Sequence, residues 1–316
     1  VFGILGDRWG RAKTMFAGVF TYSVFTGLSA LSTSPGDFSL YRLLAGVGIG
    51  GTFGAAVSLV AETMPARSRS YALGFMQALA AVGNMVAAGL SFIVPPGLVQ
   101  HGVSGWRLIF LIGVLPAFLA ALVMRRLKEP EGWIHAKSDT HGDAGHHLGS
   151  LRELLTNPEL RRNTLVGIAL GLAGVSGLWG VGFYLPELIR TAVPKESADW
   201  YVSLGMLLFN AAAVAGTFGL SFIMNRFGRK FGFALIFVFA ILSITSVFGF
   251  MTTPAQVWWM APLLGIGTLS VFGGFSIYFP ELFPLRLRAT GTGICYNTAR
   301  YISAVAPFTL GMLTVL

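Results

Sequence analysis

One arginine lies deep inside an apolar run near the end of the chain. Arg300 follows Thr290 by ten residues within the stretch Thr290–Leu316, about 15 Å along a helix at 1.5 Å per residue. A guanidinium near the middle of a hydrocarbon core ~30 Å thick costs several kcal/mol unless an anion or a wet cavity receives it. All 13 acidic residues fall in loops or at the ends of apolar runs, so no run offers a carboxylate at that depth. The chemistry open to Arg300 is capture of an anion, or pairing with an acid on a helix outside this sequence. Tyr296, Asn297 and Ser303 lie within a turn of it and could complete such a site.

Other polar positions recur at helical spacing. Gln77 and Asn84 share a face beside an alanine stripe, and Ser203, Asn210 and Thr217 repeat that seven-residue step. Such residues serve either as interhelical glue or as ligand contacts. Trp179, Tyr184 and Tyr278 stand on glycine-containing faces, where the alternatives are ligand contact and an interfacial aromatic belt. Charged clusters sit in short loops: Asp7, Arg8 and Arg11; Glu62, Arg67 and Arg69; Arg226 and Arg229; Glu281, Arg286 and Arg288. They read as an ion-pair network on one face, or as simple topology signals. No nucleophile–base pairing or metal-ligand spacing is present, and Gly46–Gly54 lacks the lysine of a phosphate-binding loop. Cys295 is the single cysteine and reads as a small core residue. Enzymatic chemistry, cofactors and bound metal are therefore not expected.

These residues are carried by elements unlike those of a water-soluble protein. Hydrophobic residues make up 54% of the 316 and charged residues 11%, well under the ~25% usual in soluble domains. Nine apolar runs are each long enough to cross a bilayer: 14–33, 41–61, 70–95, 106–124, 163–189, 200–224, 231–250, 256–279 and 290–316. Nothing alternates as barrel strands would, so helices are predicted. Val1–Leu5 reads as the stub of a tenth span, and the natural N-terminus is expected upstream. If each run crosses once, 17 of the 22 basic residues share one side; the others are Arg42, Arg107, Arg190, Lys195 and Arg300. That bias puts the loops around Asp7, Arg67, Lys137, Arg226 and Arg286 in the cytoplasm, in the inner or plasma membrane. It also accounts for the net charge of +9 without nucleic acid.

One long polar stretch, 125–162, divides the chain into 1–124 and 163–316 and holds His135, His141, His146 and His147. It reads as a flexible cytoplasmic linker ending in a short amphipathic helix, with Ser150 and Glu153 as a capping pair. The flanking segments repeat each other. Glu62, Pro65, Arg67, Arg69 and Gly74 return 219 positions later as Glu281, Pro284, Arg286, Arg288 and Gly293. Gly46, Gly48 and Gly54 return as Gly265, Gly267 and Gly273, and Arg8, Gly10 and Arg11 as Arg226, Gly228 and Arg229. Duplicated halves of this kind typify one large class of membrane carriers.

The run Gly3–Arg11 resembles the signature loop of the major facilitator superfamily, and Asn225–Lys230 looks like its weaker second copy. Arg42–Gly50 is similar to the family's helix-4 motif, and the Glu62–Arg67 and Glu281–Arg286 loops resemble those of its sugar-porter-like branch, with Ala61 in place of one proline. The resemblance implies an all-α membrane fold of two pseudo-symmetric six-helix bundles, here spans 3 to 11 of twelve. It also implies that Asp7 packs against the start of helix 11 near Thr290, where a helix dipole favours a carboxylate, and that the charged loops gate one side. Helices 7 and 10 would line the cavity, adding Trp179, Tyr184 and Tyr278 to Arg300, Asn297, Tyr296, Gln77, Asn84 and Asn210 as substrate contacts. The helix-11 run 288–300 looks most like that of metabolite:proton symporters carrying organic acids. The expectation is alternating-access uptake of a small organic anion by a monomer in the lipid bilayer, with protons. A sugar or polyol symporter and a non-transporting sensor on the same fold are the alternatives.

Overall fold

The computed structural model describes residues 1–94, 99–100, 103–124, 127–139 and 148–305. Among these the chain is helical almost throughout: α1 (Phe2–Trp9), α2 (Arg11–Ser29), α3 (Pro35–Thr63), α4 (Ala66–Ile93), α5 (Gly105–Ile112), α6 (Leu115–Met124), α7 (Glu131–Asp139), α8 (Leu151–Thr156), α9 (Pro158–Ala192), α10 (Ala198–Phe227), α11 (Arg229–Phe250), α12 (Pro254–Tyr278) and α13 (Arg288–Ser303). A two-residue antiparallel ladder pairs Val99–Gln100 with Val103–Ser104.

Seven helical stretches among the described residues are long and apolar enough to span a membrane: Pro35–Thr63, Ala66–Leu90, Gly105–Leu122, Pro158–Ala192, Lys195–Phe227, Arg229–Phe250 and Pro254–Leu282. Of the other two predicted runs, 14–33 lies mostly in the 19-residue α2, and 290–316 is described only to residue 305. Helix ends differ from the apolar runs for local reasons. α3 starts six residues before its run because Ser34 Oγ accepts the Asp37 N–H at 3.1 Å and Pro35 suits a first helical turn. The 106–124 run breaks into α5 and α6 at Gly113–Val114, where the Gly113 N–H still reaches the Ile109 carbonyl but the Val114 N–H closes a shorter turn onto Leu111. Pro116 just beyond lacks the N–H that would continue the ladder.

By contact the chain groups into two units, each taking segments from both sides of the polar stretch. One comprises Val1–Thr63, Leu90–Gly167 and Phe279–Asn297; the other Met64–Gly89, Ile168–Tyr278 and Thr298–Leu316. In the first, α2 lies along α3 through small residues. A Cβ on Gly48 would sit 2.6 Å from the Tyr22 nitrogen, and one on Gly18 2.8 Å from Thr52 Cγ2. A Cβ on Gly54 would sit 2.8 Å from the Ala289 carbonyl at the start of α13. The second unit reuses the pattern: a Cβ on Gly267 of α12 would meet the Ala240 Cα of α11 at 3.1 Å. Close backbone approach is how helices associate where lipid removes the hydrophobic incentive. α11 turns Phe231, Val238, Ile241, Leu242 and Phe250 outward, an apolar surface suited to acyl chains and not to water.

In the stretch 125–162 the described residues carry α7, α8 and the start of α9, while Arg125, Arg126, His141, His146 and His147 lie outside the described residues. Ser150 caps α8 by accepting the Glu153 N–H at 3.3 Å. The Glu153 side chain does not close the capping box; it pairs with Arg286 instead.

Because the α2–α3 crossing leaves no room for a side chain at position 48, Gly48→Val should lower stability by ~1–3 kcal/mol. Gly46, whose Cβ would meet nothing within 4 Å, is the control: Gly46→Val should leave the thermal midpoint in detergent unchanged.

Candidate functional site

The turn between α1 and α2 is made by Gly10, held at φ 124°, a region only glycine enters cheaply. It folds Arg11 back beneath α1. Arg11 is completely buried, and its charge is matched on several sides. Nη1 donates to the Gly6 carbonyl at 2.8 Å and lies 3.0 Å from Asp7 Oδ1. Nε and Nη2 each donate to Glu62 at 3.1 Å, a two-pronged pairing, and Nη2 also donates to the Leu285 carbonyl at 2.7 Å. Glu62 is shared: Arg288 Nη1 stands 3.5 Å from its Oε1, while Arg288 Nε donates to the Pro280 carbonyl at 3.1 Å.

Asp7, equally buried, points at the first turn of α13. Its carboxylate accepts the backbone N–H groups of Ala289 at 3.2 Å and Thr290 at 2.9 Å, and the Thr290 hydroxyl as well. Those N–H groups have no partner within their own helix and carry the positive end of its dipole. Asp7 lies outside the seven apolar spans. Burial pushes its carboxyl up to about 6, against the lowering pull of Arg11, Thr290 and Ala289.

Three residues of the polar stretch join this site without having been predicted. Glu129 caps α2: its Oε2 accepts from Arg11 N at 2.7 Å and Ala12 N at 3.2 Å, its Oε1 from Lys13 N at 3.2 Å. Trp133, almost fully buried, donates its indole N–H to the Asp7 carbonyl at 2.7 Å. Glu153 pairs with Arg286, whose carbonyl accepts the Gly149 N–H at 3.1 Å; Arg8 Nε donates to the Leu148 carbonyl at 3.1 Å. The one sequence signal was Trp133, an aromatic without an apolar neighbour pattern in a polar segment.

Not every predicted gating residue shares this network. Arg67 and Arg69 make no ion pair among the described residues, and the Arg69 Nε is buried without an acceptor. Glu62 turns to Arg11 and Arg288, partners distant from it in sequence. Glu281 is exposed on a 3-10 turn. In the second loop Gly228 again has positive φ, 91°, and Arg229 Nη1 donates five residues back to the Met224 carbonyl at 2.9 Å, just as Arg11 does to Gly6. Arg229 Nη2 donates to Ser70 Oγ at 3.1 Å, whereas Arg226 is exposed over the Phe227 ring.

The predicted substrate residues form several separate contacts. Arg300 is half-buried on α13. One turn earlier, Asn297 Nδ2 donates to the carbonyls of Gly50 at 2.9 Å and Gly293 at 2.8 Å. Both amide hydrogens are thereby used, leaving Oδ1 as its polar handle. Tyr296 stacks on Phe53 with ring centres 3.9 Å apart. Asn84 Nδ2 donates to Asn210 Oδ1 at 3.2 Å, and Ser276 Oγ to Gln77 Oε1 at 3.3 Å. Ser176 and Ser303 share a hydroxyl contact of 2.9 Å. Tyr184 is half-buried on α9, and Tyr278, the last residue of α12, meets Phe233 edge-on. The Trp179 side chain lies outside the described residues. A groove of about 380 Å³ is lined by Ser32, Thr33, Phe38, Trp106 and Arg107 among others and includes none of these candidates.

The comparisons agree with this architecture. The sequence profile of the Major Facilitator Superfamily matches residues 1–307. A protein of Haemophilus influenzae named for metabolite transport is 29% identical over 321 residues, covering all of this chain and 76% of that protein. The cis,cis-muconate transport protein of Acinetobacter baylyi is 26% identical, over 98% of this chain and 74% of its own length. Among solved structures, the proton:xylose symporter XylE bound to a bromodeoxyglucose superposes with a TM-score of 0.74 at 18% identity, over 98% of this chain and 76% of that one. A polytopic helical chain with this signature turn, matched along nearly its whole length, belongs to the Major Facilitator Superfamily of membrane transporters.

Proposed function

We propose that the protein carries a small organic anion across the membrane by alternating access, with Arg300 receiving the carboxylate and protons moving in symport. The observation that carries this reading is the position of Arg300, three turns along α13, whose first turn is held by Asp7; in this reading α13 crosses the bilayer and Arg300 lies deep within it. A cation at that depth suits a negatively charged cargo, and a muconate carrier among its relatives fits the same chemistry. Asn297 Oδ1, Tyr296, Trp179, Tyr184, Gln77, Asn84, Asn210 and Tyr278 complete the proposed cavity set. In this reading 1–124 and 163–316 are the two rocking bundles, joined by 125–162. The 17 basic residues then face the cytoplasm, and the protein works as a monomer in the cell membrane.

The gate is assigned to the Asp7, Arg8, Arg11, Glu62 and Arg288 network, and Arg67, Arg69, Arg226, Arg229, Glu281 and Arg286 are proposed to act with it. With Asp7 seated on the first turn of α13, that face is held shut. Opening requires the carboxylate to leave the Ala289 and Thr290 N–H groups.

Three measurements test the reading. Binding of a carboxylate at ~100 times its Kd should stabilise the purified protein by about 2.7 kcal/mol, read as a rise in thermal midpoint. Arg300→Ala should weaken that binding ~10–100-fold, the size of a lost charge-assisted hydrogen bond. Stabilisation by sugars alone, indifferent to the substitution, would overturn the anion reading in favour of a sugar or polyol cargo.

For the gate, the buried thiol of Cys295 is a native reporter. Asp7→Asn takes one acceptor oxygen away from the Ala289, Thr290 and Arg11 donors, so maleimide labelling of Cys295 should accelerate about tenfold, the size of one lost hydrogen bond to a charged group. Equal labelling rates in the two proteins would refute the lock.

The raised Asp7 carboxyl sets a pH window. The folded protein takes up this proton near pH 6, the unfolded chain only near 4. Stability contributed through this group therefore grows as pH falls from about 6 to about 4 and is lost on the way back up. Asp7→Asn should flatten that part of the unfolding-versus-pH curve.

A further inference from the structure

α8 and the first turns of α9 present one outward strip. Leu154 is fully buried and anchors α8, whereas Leu151 and Leu155, one turn apart, are 43% and 61% exposed. A single residue, Asn157, joins the two helices, its Oδ1 accepting the N–H groups of Glu159 at 3.0 Å and Leu160 at 3.3 Å. In α9, Leu160 and Thr164 face inward; Arg161, Arg162, Leu165 and Val166 face out. Arg152, Arg161 and Arg162 are exposed and have no ion pair or side-chain hydrogen bond among the described residues. Glu153 is engaged by Arg286, and Glu159 alone offsets them, so the strip keeps surplus positive charge. Arg161 at the end of the first turn of a 35-residue helix, and Arg162 just after it, also lie at the end whose dipole favours anions.

We propose that this strip binds the headgroups of anionic phospholipids, with phosphates on Arg152, Arg161 and Arg162 and with Leu151, Leu155 and Leu165 in the acyl boundary. Continuity makes a lipid the occupant: α9 goes on directly as a membrane span, so its entry turn stands at headgroup level. Exposed leucines interleaved with arginines suit an interfacial helix and would be idle toward a free phosphate. Each arginine near an anionic surface contributes about fivefold to lipid preference, and the contribution is screened by salt.

The test reconstitutes the full chain in nanodiscs of phosphatidylcholine alone, or with a quarter phosphatidylglycerol. It reads the thermal midpoint and the lipids retained after mild delipidation. Phosphatidylglycerol should be enriched over phosphatidylcholine and raise the midpoint. Arg152→Gln/Arg161→Gln/Arg162→Gln should cut the enrichment by one to two orders of magnitude, while the matching lysine variant keeps most of it. Inorganic phosphate and glycerol phosphate, added to phosphatidylcholine nanodiscs, should not reproduce the effect. An enrichment unchanged in the glutamine variant, or a midpoint raised equally by inorganic phosphate, would overturn the proposal.

Discussion

A guanidinium removed from solvent must have all of its hydrogens received, and the region around Gly10 is arranged to meet that demand for Arg11. Four hydrogen bonds and a close ion pair account for its five N–H groups. The acceptors come from three separate places in the sequence: α1, the end of α3 and the Leu285 turn. Satisfying one side chain therefore fixes three elements to one another. An uncompensated charge in such a place is far costlier than the pair is beneficial, so the arrangement is all-or-none. Asp7 occupies the remaining side and reaches on to α13, which ties the start of the Arg300 helix to the same knot.

What could be read from the sequence depended on range. The spans followed from composition because lipid leaves the backbone one helical solution. The glycine repeat was legible as a recurrence at one offset, and both Gly48 and Gly267 stand where a Cβ would crowd a neighbouring helix. The loop partners were only partly legible. Glu62 pairs with Arg11, 51 residues upstream, a partner that nothing in its local sequence marks. Glu129 was invisible, since its partners are the free N–H groups at the start of α2, which any nearby acid could serve. Helix ends were misread where a cap, and not the apolar run, decides the boundary, as at Ser34.

The two halves of the repeat share geometry and differ in chemistry. Both loops turn through a positive-φ glycine and send an arginine back to a carbonyl five residues away. Only the first has an acid, Asp7, where the second has Asn225. Strength of wiring is thus lopsided between copies that began alike. The first copy also recruits Trp133 and Glu129, so it is held by side chains from outside the repeated motif.

Gly10 shows how tightly position and history are linked. Its backbone angle excludes an ordinary side chain, and a Cβ there would also come within 3 Å of the Glu129 carboxylate that caps α2. Two unrelated demands, one conformational and one spatial, meet at a single codon. Neither can be relaxed alone: shortening residue 129 would uncap α2 without easing the dihedral, and reshaping the turn would still leave the carboxylate in the way. Any side chain at position 10 would have to meet both demands at once.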